Sequence, residues 1–178
     1  MVVVGPSGAG KDSLIAAARA KLCSDSRFAF PQRVITRRRD GSEDHIEVDV
    51  QSFAASERAG DFALSWSAHG LRYGISRSIE QTLASGRHVV VNASRKIVAE
   101  ARERYAPSIV IEVTAQVETR AARLRARGRE AESAIASRVE RELDVKADFT
   151  IVNDGSLDSA AALFLAALAK VENSSPAP

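Results

Sequence analysis

At 178 residues, with 45% hydrophobic and 27% charged side chains, the chain has the make-up of one ordinary globular domain and is long enough to bury a core. A formal charge of +2 argues against a cationic surface spread over the whole molecule, so nucleic acid is not an expected partner. The single cysteine, Cys23, excludes an internal disulfide and fits a reducing compartment.

Met1-Val2-Val3-Val4 reads as a buried strand that runs into Gly5-Pro6-Ser7-Gly8-Ala9-Gly10-Lys11-Asp12-Ser13-Leu14. The glycines let several backbone N–H groups converge on one concavity, and a helix starting near Lys11 adds unpaired N–H groups and a positive dipole end. Such a turn holds a polyphosphate. A lysine opening a helix has the wrong sign for the dipole until an anion binds beside it. The spacing Gly5-x-x-x-x-Gly10-Lys11 fits a P-loop, with Asp12 standing where Ser or Thr is the rule. Mg²⁺ prefers hard oxygen ligands, so the Asp12 carboxylate can replace the usual hydroxyl, with Ser13 beside it. An ordinary glycine-rich turn is the plain alternative.

Leu14, Ile15, Ala18 and Leu22 predict a helix over 11–22. Residues 28–35 read as extended, and Pro31 argues against a helix there. A polar run leads into a strand predicted over 45–50, followed by a short helix over 52–60. Strands at 63–67 and 71–75 are joined by the turn His69-Gly70. A helix over 79–85 ends at Gly86, and the apolar run 88–92 reads as one central parallel strand. Helices over 97–105, 117–127 and 131–145, strands over 108–113 and 149–153, and a closing helix over 157–171 complete the pattern. Residues 173–178 read as a disordered tail.

Four apolar strands alternating with helices predict an α/β fold, a parallel sheet with helices on both faces, in one domain over 1–172. Ligands of such sheets sit beyond the carboxyl ends of the strands, where Gly5, Asn92 and Asn153 stand. The segment 36–75 is expected to be an insertion covering a second substrate. No apolar run is long enough to span a bilayer and no signal peptide is visible, so a cytoplasmic protein without a membrane partner is expected.

Arginines crowd residues 120–141. Paired with nearby glutamates, Arg120, Arg123, Arg125 and Arg141 read as a solvated helical face. Arg127 and Arg129 flank Gly128 and, with Arg138, predict a mobile lid over 125–145 that closes on a transferring phosphoryl group and excludes water. Trp66 reads as core, and His69 and His88 as structural. Three histidines and one cysteine offer no zinc spacing. Arg38 and Arg39 read as rim charges.

Gly5 to Leu14, Thr36-Arg37, Tyr73-Gly74, Arg123-Leu124 with Arg127-Gly128, Arg138, and Ile151-Val152-Asn153-Asp154 resemble the guanylate kinase fold, in that order, across nearly the whole chain. The stretches at 5–14, 35–37, 41–46, 64–66 with 70–74, 91–95 and 153–157 are similar to the ribose 1,5-bisphosphate phosphokinases, a guanylate-kinase-like family of phosphonate breakdown whose pattern includes Asp12. This resemblance implies a P-loop NTPase-like, guanylate-kinase-like fold. It also implies ATP- and Mg²⁺-dependent phosphorylation of a small phosphorylated sugar, ribose 1,5-bisphosphate, to 5-phosphoribosyl 1-diphosphate.

Guanylate kinases resemble one another in reading guanine with carboxylates and small hydroxyls. Here Arg33 stands where those enzymes have small serines, His45 replaces a phosphate-binding tyrosine, and Asn92, Ser94 and Arg95 replace the expected carboxylates. The resemblance therefore implies that Arg33, Thr36, Arg37, His45 and Tyr73 bind acceptor phosphate, while Asn92, Ser94 and Arg95 bind the sugar or its second phosphate. Lys11, Arg127, Arg129 and Arg138 would act on the transferring group, and Asn153 and Asp154 would lie near adenine. The accepting phosphate is already anionic, so no strong general base is needed. Two alternatives stand beside this reading: a kinase for GMP, and a non-catalytic binding module, which would be expected to have lost the loop lysine.

Overall fold

The computed structural model describes residues 1–39, 44–126 and 145–174, with side chains described through residue 171. Its central strand is β1 (Val2–Val4), a run buried on both faces, as a hydrophobic strand in the middle of a parallel sheet must be. Val3 points into a core shared with Leu14, Ile111, Val113 and Phe164. Its neighbours Val2 and Val4 point the opposite way, toward Val91, Ile97, Val98 and Val110. The two-residue period of a strand thus builds two cores from one short run.

β1 leads through residues 5–10 into α1 (Lys11–Lys21). β2 (Phe28–Ala29) and β3 (Arg33–Ile35) follow, then β4 (His45–Glu47), α2 (Val50–Ala59), β5 (Phe62–Ala68), β6 (Leu71–Ser76) and α3 (Ile79–Ala84). β7 (His88–Val89), β8 (Val91–Asn92), a single 3-10 turn at Arg95–Ile97, α4 (Val98–Arg104), β9 (Val110–Thr114), α5 (Val117–Ala126), β10 (Phe149–Val152) and α6 (Leu157–Ser174) complete the described elements.

The main sheet has the order β10-β9-β1-β8 and is parallel throughout. The expected α/β sheet is therefore present, with one correction. The apolar run 88–92 is two short strands, not one. Its first half pairs with β2, and its second half pairs with β1 after Val90 N–H has bonded to Ala29 O at 2.9 Å. The chain changes partner within five residues.

A second sheet, β4-β3-β6-β5, holds the insertion. β6 pairs antiparallel with both β3 and β5, while β4 runs parallel to β3, so the segment expected over 36–75 belongs to a mixed sheet that starts at Arg33. The strand predicted over 45–50 stops at Glu47, and the following helix begins at Val50 rather than 52. Asp49 is the cause: its Oδ1 accepts the Ser52 N–H at 2.8 Å and caps α2.

α6 continues to Ser174, beyond the point where the tail was expected to begin. Residues 131–144 of the helix predicted over 131–145, and the last four residues of the chain, lie outside the described residues. Among those described, no helix is long and apolar enough to cross a membrane.

Candidate active site

The glycine-rich turn closes over the carboxyl end of the main sheet. Gly5 takes φ +141 and lies so close to β9 that a Cβ there would sit 1.9 Å from Val113 O. Gly10 takes φ +93, and a Cβ there would meet Asn153 Nδ2 at 2.4 Å. Neither position admits another residue without moving backbone or a buried amide. The Lys11 ammonium folds back on the turn, donating to Gly5 O at 2.9 Å and Pro6 O at 3.0 Å. Its cation is held at the mouth of the loop by two carbonyls that a phosphate oxygen can replace.

Asn153 supports this loop from beneath. It is 2% exposed, and its Nδ2 donates to Ala9 O at 2.8 Å. The adjacent Asp154 Oδ1 accepts the Gln116 N–H at 2.7 Å, which ties the end of β10 to the start of α5. Asn153 thus has its partner in the loop, and Asp154 has its partner just before α5.

Asp12 faces the insertion. Its Oδ1 accepts from Arg33 Nη2 at 2.8 Å and from Asn92 Nδ2 at 2.6 Å. A cavity of about 320 Å³ has Asp12, Ser13, Gln32, Arg33 and Asn92 in its wall. The first turns of α1, the end of β8 and the first strand of the second sheet therefore meet at this cavity. Arg33 is further fixed by the Tyr73 ring, whose centroid is 5.8 Å from its guanidinium carbon. Tyr73 in turn stacks face to face on Trp66, with centroids 5.3 Å apart and planes 4° from parallel. Trp66 is thus core packing that extends to a site residue.

Other expected acceptor residues occupy supporting positions. His45 is 1% exposed and donates its Nε2 proton to Arg37 O at 3.0 Å, so it secures the Arg37 backbone. Thr36 Oγ1 accepts the Arg72 N–H at 2.9 Å, extending the β3–β6 pairing by one residue. Arg37 follows it, half-buried. Ser94 caps the 3-10 turn by accepting the Lys96 N–H at 3.3 Å, and Arg95 opens that turn. Neither Ser94 nor Arg95 lines the cavity beside Asp12.

The helix α5 corrects the solvated reading of two arginines. Arg120 is 4% exposed, its Nε donates to Ala115 O at 3.0 Å, and its backbone packs against Gly8. Arg123 lies one turn on, and its Nη1 is 3.5 Å from Gly8 O. The signal was in the spacing: positions 120 and 123 are three residues apart and share one helical face. Arg125 is exposed, as expected. Arg127, Arg129, Arg138 and Arg141 lie outside the described residues.

A P-loop at the end of the central strand, faced by a mixed sheet that presents an arginine to it, defines a nucleotide-dependent phosphotransferase architecture. The guanylate kinase family model matches residues 1–170, and the chain belongs to that family. The fold is shared with a guanylate kinase from Anaplasma phagocytophilum, with a TM-score of 0.65 at 20% identity, over 98% of this chain and 85% of that one.

Within the family, the sequence is closely similar to proteins named ribose 1,5-bisphosphate phosphokinase PhnN. One from Methylobacterium radiotolerans is 47% identical over 168 residues, covering 94% of this chain and 96% of the relative. Another from Acidiphilium cryptum is 48% identical, covering 94% and 91%.

Proposed function

We infer that the protein is a ribose 1,5-bisphosphate phosphokinase, transferring the γ-phosphoryl group of ATP to the 1-phosphate of ribose 1,5-bisphosphate. The observation that carries this reading is Arg33, held 2.8 Å from the P-loop carboxylate in the wall of the shared cavity. A guanidinium there suits a compact acceptor bearing phosphates better than an uncharged base. The names carried by relatives at 47% and 48% identity point the same way.

An oxygen of the acceptor's 1-phosphate attacks the γ-phosphorus in line, the bond to the β–γ bridging oxygen breaks, and ADP leaves. The loop N–H groups and Lys11 hold the β- and γ-phosphates, with Lys11 exchanging its two carbonyl partners for phosphate oxygens. Arg123 adds a cation beside Gly8. Arg33, Thr36, Arg37 and Tyr73 form the acceptor side, with His45 holding Arg37 in place. Asn92 closes the end of β8, and Ser94 and Arg95 stand beyond it for the sugar or its second phosphate. Arg127, Arg129 and Arg138 are assigned to the closing lid on their sequence positions.

Mg²⁺ binds through one or two carboxylates, phosphate oxygens and water. Asp12 and Ser13 are hard oxygen donors at the end of the loop, so the residues fit the ion. It would neutralise charge between the β- and γ-phosphates when bound. Among the described residues no group of three acidic, histidine or cysteine side chains could hold a metal unaided, so the ion would arrive with the nucleotide.

The test is an ADP-release assay offering ribose 1,5-bisphosphate and GMP separately. Turnover with the sugar bisphosphate alone is expected. Turnover with GMP alone would overturn the substrate assignment.

A further inference from the structure

We propose that Asp12 is a positioning residue for the acceptor: its carboxylate fixes the Arg33 guanidinium and the Asn92 amide in the wall of the shared cavity. The proposal rests on the reading that Arg33 serves the acceptor. A carboxylate that served only a nucleotide-bound metal would have no reason to aim the same oxygen at two donors on the acceptor side. Asp12 Oδ1 does so, taking Arg33 Nη2 at 2.8 Å and Asn92 Nδ2 at 2.6 Å.

The two donors come from different sheets. Arg33 is in the insertion sheet and Asn92 at the end of a main-sheet strand, while Asp12 itself lies in the first turn of α1. One carboxylate therefore ties three elements together at the cleft. Charge-assisted contacts of this length are the strong ones, and a pair that is mostly enclosed is weakly screened by solvent. The Arg33 side chain is 12% exposed and that of Asp12 30%.

The Tyr73 ring limits the guanidinium from another side. Together the ring and the carboxylate settle the rotamer of a long side chain before the ligand arrives, and such preorganisation lowers the cost of binding. Without Asp12, Arg33 gains charge to offer but loses its fixed direction. The proposal holds that direction matters more.

The test is a double-variant cycle on acceptor affinity, with no nucleotide and with EDTA present, so that no metal role of Asp12 contributes. Dissociation constants for ribose 1,5-bisphosphate are measured calorimetrically in the wild type, Asp12→Ala, Arg33→Ala and the double variant. Asp12→Ala is expected to weaken binding about tenfold in the wild-type background and less than twofold once Arg33 is gone. Asp12→Asn, which keeps the shape, should fall between wild type and Asp12→Ala.

The far-ultraviolet circular dichroism spectrum and a single cooperative urea transition in each variant report an intact fold. Additive losses, unchanged affinity in Asp12→Ala, or tighter binding there would each overturn the proposal. If the wild type binds GMP and not the sugar bisphosphate, the substrate reading fails, and the same cycle run with GMP still judges Asp12. Binding of neither acceptor overturns both.

Discussion

Replacing Asn153 separates a loop support from a base contact. Its amide is 2% exposed and donates to Ala9 O at 2.8 Å, while its Oδ1 is buried with no hydrogen-bond partner among the described residues. Asn153→Ala removes one buried hydrogen bond and deprives the Ala9 carbonyl of this donor, which together cost about 1–3 kcal/mol. Loss of the unsatisfied Oδ1 offsets part of that, leaving a destabilisation of about 1–2 kcal/mol. Asn153→Asp is nearly isosteric but sets a buried acceptor against a carbonyl, and should cost about 3 kcal/mol or more at neutral pH.

Urea unfolding followed by circular dichroism should therefore rank wild type above Asn153→Ala and Asn153→Asp last. Titration with fluorescent ADP and GDP analogues should show both nucleotides losing affinity by the same factor, since the loop holds phosphates and not the base. Unchanged stability with a selective loss of the adenine nucleotide would refute this account and return Asn153 to the base site.

Arg37→Ala should raise the acceptor KM about tenfold with kcat little changed, because the contact is made in ground and transition states alike. Arg123→Ala should instead lower kcat on the order of 10²-fold, and steady-state kinetics with each substrate varied distinguish the two. At Gly74 an added Cβ would lie 2.6 Å from the Phe62 ring, which stacks on Phe53, so Gly74→Ala should cost about 1–3 kcal/mol and lower Tm by several degrees. ADP titration of that variant should keep the wild-type constant.

His88 packs against the Phe28 ring, and burial holds its pKa below the ordinary 6.5. On acidification the unfolded chain takes the proton first, so this contribution to stability is complete above 6.5 and declines as pH falls below it. Denaturant midpoints measured from pH 8 to pH 5 should drop less steeply in His88→Gln.

The loop, the parallel sheet and the hairpin of the insertion were legible because each has a local cause: closely spaced glycines before a lysine, buried valine runs, and the turn His69-Gly70 between the strands predicted at 63–67 and 71–75. The partner change within 88–92 was not, since His88-Val89-Val90-Val91-Asn92 is as apolar as a single strand and only tertiary pairing with β2 and β1 divides it. The early start of α2 was available in Asp49, a capping residue three positions before Ser52.

At the site, spacing singled out Lys11 and Asp12 and the family resemblance singled out Arg33, but neither showed that Asp12 turns toward Arg33. His45 and Asn153 were recognised by their place in a pattern, and their burial showed that each acts through the backbone of a neighbour. Arg120 and Arg123 were hidden by abundance. In an arginine- and glutamate-rich stretch, charge alone does not separate the inward face from the solvated one, whereas helical spacing does.

On the proposed function, two polyanions meet between the P-loop and Arg33 and phosphoryl transfer follows. Phosphorus NMR of the products formed from ATP, Mg²⁺ and ribose 1,5-bisphosphate tests it most directly. The account predicts ADP together with a sugar diphosphate whose two coupled resonances appear as the 1-phosphate signal disappears. An unchanged 1-phosphate signal in enzyme that phosphorylates GMP, or that releases only inorganic phosphate from ATP, would contradict it.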